Sequence, residues 1–388
     1  MDLRLGALNV LVGPNAAGKT NVLDVLTFLG DTVREDLGPA ITERGGWERV
    51  RFRGLDQGVQ SDPVVIEVHA AVTKNSSSTA LDEYHLSIRP FTRRRAGKGG
   101  ASTDKEFFRY ENFMFKRTAG PGRRITIDGA GFVVADEEGE RTGHLREGSL
   151  GLSTLPRLGP QEGGQQVEAL ADLFASFRVF DPDVAAARRP SERPREARLQ
   201  DNAGNLAAFL LYLSQEHHEV FERLQSDACL FVPGLQELVL GTQGGSRLAT
   251  VLQLRERGLA GVTDLADASF GSIRALALLA LLYDPHPPKL TCIEELDHGL
   301  HPYVLDRLVE LLRQASRATQ LIVATHSPAL VNRLRSSELV VCEKGEDGAS
   351  RIPAVAPELV RQMEQDLRGE LGLGELWFTG VLGGVPDL

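Results

Sequence analysis

Gly13-Pro14-Asn15-Ala16-Ala17-Gly18-Lys19-Thr20 decides how this chain is read. It meets every fixed position of the phosphate-binding pattern G-x-x-x-x-G-K-[ST]. Leu8-Asn9-Val10-Leu11-Val12 precedes it, a short apolar run that reads as a buried strand. Val22, Leu26, Leu29 and Val33 follow at spacings of four, three and four, the pattern of a helix with one apolar face. Strand, glycine loop and helix are what phosphate binding requires. Glycines let backbone N–H groups turn inward around the anion, and the helix N-terminus adds partial positive charge. Lys19 is placed to reach the β- and γ-phosphates, and the Thr20 hydroxyl to bind Mg²⁺. A chance glycine-rich turn before a helix is the alternative, and it leaves the flanking strand and helix unexplained. The stretch predicts a nucleoside-triphosphate-binding protein.

The 388 residues are enough for two or three lobes with a large core. Hydrophobic residues at 42% and charged residues at 25% fit an ordinary globular protein. No apolar run approaches the roughly 20 residues needed to cross a bilayer. The chain enters its first strand at once, so the expectation is no signal peptide, no membrane partner and a cytoplasmic location. Cys229, Cys292 and Cys342 are scattered without zinc spacing or a disulfide framework, which predicts reduced thiols. A net charge of −10 leaves no general nucleic-acid footprint, so DNA binding would need a local basic patch. Two clusters offer one: Arg93, Arg94, Arg95 and Lys98, and Arg188, Arg189, Arg193, Arg195 and Arg198. Such clusters are more commonly solvated loop charges.

Along the chain the period changes twice. From Trp47 to about Phe132 alternation replaces the helical pattern, with strands at Pro63–His69, Tyr84–Ile88, Phe107–Phe115 and Arg124–Ile127. This reads as an antiparallel meander, with Gly97–Ser102 a loop tip. From about Gln165 to Leu230 the reading is helical, with apolar faces Val167, Leu170, Leu173, Phe174 and Leu206, Phe209, Leu210, Leu213. Neither extends into long heptads, so a coiled-coil arm is not expected. A strand pair at Leu235–Leu240 and Ala249–Leu254 and a helix at Ser272–Tyr283 come next. Strands at Leu290–Ile293, Gln320–Thr325 and Leu339–Cys342, with a helix at Tyr303–Arg317, then predict a parallel sheet that gathers ligands at its strand carboxyl ends. Three segments are expected: 1–150, carrying the phosphate loop and meander; 151–232, a helical lobe; and 233–388, the remaining αβ block.

Leu290–Ile293 runs into Glu294-Glu295. A short buried strand followed by two acids supplies the second half of a nucleotide site: Glu294 for the metal and Glu295 for the water that attacks the γ-phosphate. His326 ends the strand Gln320–Thr325, 31 residues after Glu295, where a neutral imidazole can hydrogen-bond the γ-phosphate and sense its loss.

With these residues in view the chain resembles ATP-binding-cassette ATPases of the SMC/RecF/OLD type, often labelled AAA family ATPases in bacteria. Gly13–Thr20, Ser269-Phe270-Gly271-Ser272-Ile273-Arg274, Cys292–Pro302 and Ala324-Thr325-His326-Ser327-Pro328 stand where that family has its Walker A loop, signature motif, Walker B with D-loop, and switch histidine. The resemblance implies an α/β fold, a P-loop head of ATP-binding-cassette type with an antiparallel meander and an inserted helical lobe. It implies an ATPase using ATP and Mg²⁺, with Lys19, Glu295 and His326 catalytic and Thr20 and Glu294 at the metal. Gly13, Pro14, Asn15, Ala16, Ala17, Gly18, Lys19, Thr20 and Asn21 would hold the nucleotide, and two heads would close so that Ser269 and Gly271 of one reach the γ-phosphate held by the other. Asp297 to His301 would couple the two sites. The interval of 249 residues from Thr20 to Ser269 matches the SMC/RecF/OLD branch rather than a compact transporter domain.

The chain departs from that pattern in several places. It begins at the phosphate-loop strand without the strand that usually packs near adenine. Phe270 occupies a position where a small residue is usual. Only about 60 residues follow His326, so no Toprim nuclease is implied. Gln57 and Gln60 are the nearest candidates for the glutamine that completes the Mg²⁺ shell. Three functions fit: a DNA-associated ATPase in repair or phage defence, closing as a nucleotide-dependent homodimer on double-stranded DNA; an ATP-gated scaffold that restrains an effector protein from a neighbouring gene; or an NTP-binding protein that no longer turns over, against which the intact Glu295 and His326 argue.

Overall fold

Leu8–Val12 (β1) is buried at every position, as a strand covered on both faces must be. It lies inside a five-stranded parallel sheet of order β14-β1-β13-β12-β8, formed with Leu339–Val341 (β14), Gln320–Thr325 (β13), Leu290–Ile293 (β12) and Arg178–Phe180 (β8). Leu8 pairs with Leu321 and Val12 with Thr325, so β1 and β13 end level. Cys292 opposite Ile322 carries the register on to β12. Residues 55–62, 98–99, 118–119, 121, 147, 160–162, 193–194, 245–248, 367–370 and 385–388 fall outside the described part of the computed structural model. Over 92–105 only the backbone is described.

The chain divides into two compact units. One comprises Met1–Leu23, Arg178–Gly345 and Ser350–Leu388; the other comprises Asp24–Phe177 and Glu346–Ala349. The first unit contains the parallel sheet. Helix Phe270–Leu282 is buried over most of its length, and its apolar sequence (Ile273, Leu276, Leu279, Ala280) fits burial on more than one face. Helix Leu305–Ala315 is amphipathic, with Leu305, Leu308, Val309, Leu311 and Leu312 on its buried stripe. The antiparallel strands Leu235–Gln243 (β9), Ala249–Glu256 (β10) and Thr263–Asp264 (β11) form a small sheet in the order β11-β10-β9. Glu343–Lys344 (β15) and Ser350–Arg351 (β16) form a hairpin, and Trp377 and Leu382 pack into the core.

The second unit is built on a six-stranded antiparallel meander in sequential order: Val64–Ala70 (β2), Asp82–Gly97 (β3), Gly100–Phe115 (β4), Arg123–Asp128 (β5), Gly131–Asp136 (β6) and Gly139–His144 (β7). Alternating Tyr84, Leu86 and Ile88, with Phe113, Phe115, Ile125 and Ile127, line its buried face. Helix Gly164–Ala175 covers that face with Val167, Leu170 and Phe174. Arg109 and Glu111, 1% and 0% exposed at the side chain, pair at 3.1 Å within it. Glu111 also accepts from the Gly151 N–H at 2.7 Å and the Tyr84 hydroxyl at 3.1 Å, so the buried charges have partners.

The helical stretch 151–232 is therefore distributed. Gly164–Ala175 belongs to the core of the meander, whereas Leu206–Glu216 and His218–Phe231 belong to the core of the parallel sheet. The hairpin β3–β4 is longer than expected, since hydrophobic alternation stops near Phe91 while the ladder continues to the Gly97–Gly100 pair. The turn at Asn202–Asn205 holds as read: Ala203 is left-handed at φ 57°, and Asn202 Oδ1 accepts from the Gly204 N–H at 2.9 Å. Cys292 and Cys342 are buried free thiols, and burial pushes both up to about 12. Gln57, Gln60, Lys98 and Arg193 lie outside the described residues. Of the second basic cluster, Arg188 donates to the Ala268 carbonyl at 3.0 Å and Arg195 pairs with Glu216 at 2.6 Å. Among the described residues no helix is long and apolar enough to cross a membrane.

Candidate active site

β1 ends at Val12 and the chain turns through 13–18 before Lys19 begins the helix Lys19–Glu35. The turn is tight enough to dictate residue types. A Cβ on Gly13 would stand 2.3 Å from the Cys342 carbonyl oxygen, and one on Gly18 would stand 2.1 Å from Ser350 Oγ. Gly18 is also left-handed, at φ +98°. Ala16 adopts φ 64° between them. The loop closes on its own lysine: Lys19 Nζ donates to the carbonyls of Gly13 and Pro14, both at 2.9 Å. Lys19 is 7% exposed. Burial lowers its pKa, and the nearby Cys342 and Glu294 partly offset that shift.

β12, two strands from β1 in the sheet, delivers Glu294 and Glu295 at its carboxyl end. Glu294 is half-buried and acts on Lys19. Glu295 is left-handed at φ 47°, a costly conformation for a non-glycine residue and one that concentrates at functional sites. Its carbonyl accepts from the His298 N–H at 3.0 Å and from Arg274 Nη2 at 3.0 Å. His326 follows β13, the strand between β1 and β12. The residue is exposed, yet partial desolvation of its ring, then the Lys19 charge, lower its pKa below 6.5 against the opposing pull of Glu295 and Asp297. The shift favours the neutral imidazole. Thr325 Oγ1 donates to Asp297 at 2.5 Å and accepts from the Ser327 N–H at 3.0 Å, tying the loop after β12 to the end of β13.

Lys19, Glu294, Glu295, Asp297 and His326 therefore meet at the carboxyl ends of three adjacent parallel strands, where open α/β sheets gather their ligands. Gly271 lies against the segment after β12. Ser269 caps helix Phe270–Leu282, its Oγ accepting from the Ser272 N–H at 3.1 Å. A Cβ on Gly271 would stand 2.5 Å from the Gly299 carbonyl. The carbonyl of Cys342 and the hydroxyl of Ser350 left no trace in the sequence, and Arg274 was visible there only as the last residue of the signature stretch.

The loop fits a triphosphate, because Gly13 and Gly18 leave no room for side chains and an ammonium stands at the mouth of the helix. Among the described residues no three His, Cys, Asp or Glu side chains cluster as a metal cage. Mg²⁺ takes one or two protein oxygens and draws the rest of its shell from phosphates and water, and the Thr20 hydroxyl and Glu294 carboxylate are oxygens of that kind.

Fold and site together define a protein of the P-loop, nucleoside-triphosphate-binding class. A family model described as "AAA domain, putative AbiEii toxin, Type IV TA system" matches residues 8–93 and 161–332, about two thirds of the chain. The chain belongs to that family. No curated protein matches it. Among solved structures, it is similar to an SMC head bound to the C-winged helix domain of ScpA, at 14% identity, 90% of this chain, 91% of the other and a TM-score of 0.48. A second is the Smc head domain with an extended coiled coil bound to the C-terminal domain of ScpA from Pyrococcus furiosus, at 13% identity, 94% of each chain and TM-score 0.45. A third is the SMC head domain from Thermotoga maritima, at 14% identity, 91% and 92% coverage and TM-score 0.41.

Proposed function

We propose that this chain is an ATP-hydrolysing head that works as a nucleotide-dependent homodimer. The observation that carries the reading is the convergence of Lys19, Glu294–Glu295 and His326 at the ends of β1, β12 and β13. In this reading Gly13 to Asn21 wrap the triphosphate, with Lys19 on the β- and γ-phosphates. Thr20 and Glu294 would hold Mg²⁺, which when bound neutralises charge on the phosphates. Glu295 orients and deprotonates the attacking water. His326, kept neutral, donates to the γ-phosphate. Ser269 and Gly271 stand at the N-terminus of a 13-residue helix, where hydroxyl and amides favour the γ-phosphate presented by a second copy. Asp297 would couple the two sites across the dimer.

Two roles follow for such a head. One is a DNA-associated ATPase in repair or phage defence, a reading that the net charge of −10 does not favour. The other is an ATP-gated scaffold for a separate effector, which the toxin–antitoxin wording of the family description favours. Steady-state ATP turnover, with and without linear duplex DNA, separates them. Turnover that rises with DNA and disappears in Lys19→Ala and Glu295→Gln supports the first role. Turnover indifferent to DNA, with a neighbouring-gene product released by Lys19→Ala, supports the second. Turnover unchanged by either substitution refutes the ATPase reading itself.

A further inference from the structure

We infer that Arg274 is a positioning residue for Glu295, linking the start of the signature helix to the catalytic carboxylate within one chain. This rests on the role proposed above for Glu295, and it gives Arg274, the last residue of the signature stretch, a contact and a task that the motif match does not state. Arg274 sits in the first half of helix Phe270–Leu282, one turn after the Ser269 cap. Its Nη2 donates to Glu295 O at 3.0 Å and reaches Glu294 O at 3.5 Å, spanning the two carbonyls beside the left-handed residue. A left-handed glutamate holds only where its surroundings over-determine it, and a charged donor on its carbonyl does that.

The guanidinium is itself braced. It lies 5.9 Å from the centroid of the Phe270 ring, one turn away on the same helix face. Phe270 is 44% exposed. Its ring also meets the His298 ring, at 5.4 Å and a tilt of 54°. His298 closes the circuit, with Nδ1 3.2 Å from Glu295 Oε2 and its N–H on Glu295 O at 3.0 Å. Glu295 is thus gripped at its carbonyl by Arg274 and at its carboxylate by His298, and Phe270 stands between the two grips. Beside them Gly271 abuts the Gly299 carbonyl, so the helix start cannot shift without moving the loop 294–299. Phe270, the departure from the small residue usual at this position, is explained as the strut of this link. A phosphate arriving at Ser269 would act on the backbone of Glu295 through Arg274.

The test compares wild type with Arg274→Ala and Arg274→Lys, by hydrogen–deuterium exchange over 293–300 and by ATP kinetics. In Arg274→Ala the amides of His298 and Leu300, bonded to Glu295 O and Asp297 O, should exchange roughly tenfold faster, with the 8–20 segment unchanged. Turnover should fall by about 10- to 100-fold, with the affinity for ATP within about twofold of wild type. Arg274→Lys, which keeps one charged donor, should recover most of both. Unchanged exchange over 293–300 in Arg274→Ala overturns the inference, as does unchanged turnover. Loss of ATP binding along with turnover, without rescue by lysine, also overturns it, because the residue would then merely support the fold. If wild type itself lacks turnover, the ATPase reading fails while the exchange result still decides the link.

Discussion

Gly18→Ala tests how tightly the phosphate loop is built. Two costs add. The residue sits at φ +98°, where an L side chain costs about 1–3 kcal/mol. The new methyl would also meet Ser350 Oγ at 2.1 Å and Ser350 Cβ at 2.7 Å, well inside ordinary contact. A rotamer change can move the hydroxyl, but the Cβ is fixed to β16 and its backbone must yield, an overpacking cost of about 1–3 kcal/mol. The single variant should therefore lose about 2–6 kcal/mol in urea unfolding. Adding Ser350→Gly removes the steric share and leaves the dihedral share, so the double variant should recover about 1–3 kcal/mol over Gly18→Ala. A Gly18→Ala protein within about 0.5 kcal/mol of wild type would refute the reasoning. So would a double variant no more stable than the single one, since the contact with Ser350 would then carry no energy.

Gly13→Ala offers no such rescue. Its methyl would stand 2.3 Å from the Cys342 carbonyl, whose own residue donates to Val12 O at 2.7 Å, so the β1–β14 edge must open; unfolding should show a loss of about 1–3 kcal/mol that no side-chain substitution at 342 restores. The His326 ring should titrate below 6.5 by NMR and move upward in Lys19→Met, which removes one of the two causes that lower it; titration at or above 6.5 in wild type contradicts the site geometry. Because the folded value lies below the unfolded one, the contribution of His326 to stability is present above 6.5 and lost as pH falls from 6.5 through the folded value. In the meander, Glu111→Ala strands the buried Arg109 guanidinium and the Gly151 N–H and should cost about 3–5 kcal/mol in urea unfolding, and a loss under about 1 kcal/mol would mean that water replaces the carboxylate.

How far the sequence carries can be judged from where it stops. Four strands of the parallel sheet were legible because each is a short continuous apolar run that burial on two faces demands, and Leu290–Ile293 and Gln320–Thr325 fall at the bounds expected, whereas Arg178–Phe180, three residues inside a stretch read as helical, was not. The side chains that meet at the candidate site were legible too, since local chemistry marks them: an ammonium after a glycine turn, acids at a strand end. Contacts far apart in sequence left no local trace. Gly18 is specified by Ser350 and Gly13 by Cys342, and no periodicity near residue 13 or 18 points to residues more than 300 positions away. The assignment of Gly164–Ala175 to the meander and Leu206–Glu216 to the parallel sheet failed to show for the same reason, since an amphipathic stripe states that it is covered but not by what. Phe270 is the sharpest case. Against a motif it is a deviation, and only the Arg274 guanidinium and the His298 ring on either side give it a reason. A break in a local rule is where a tertiary constraint is to be sought. Here it lies beside Glu295, whose backbone is left-handed.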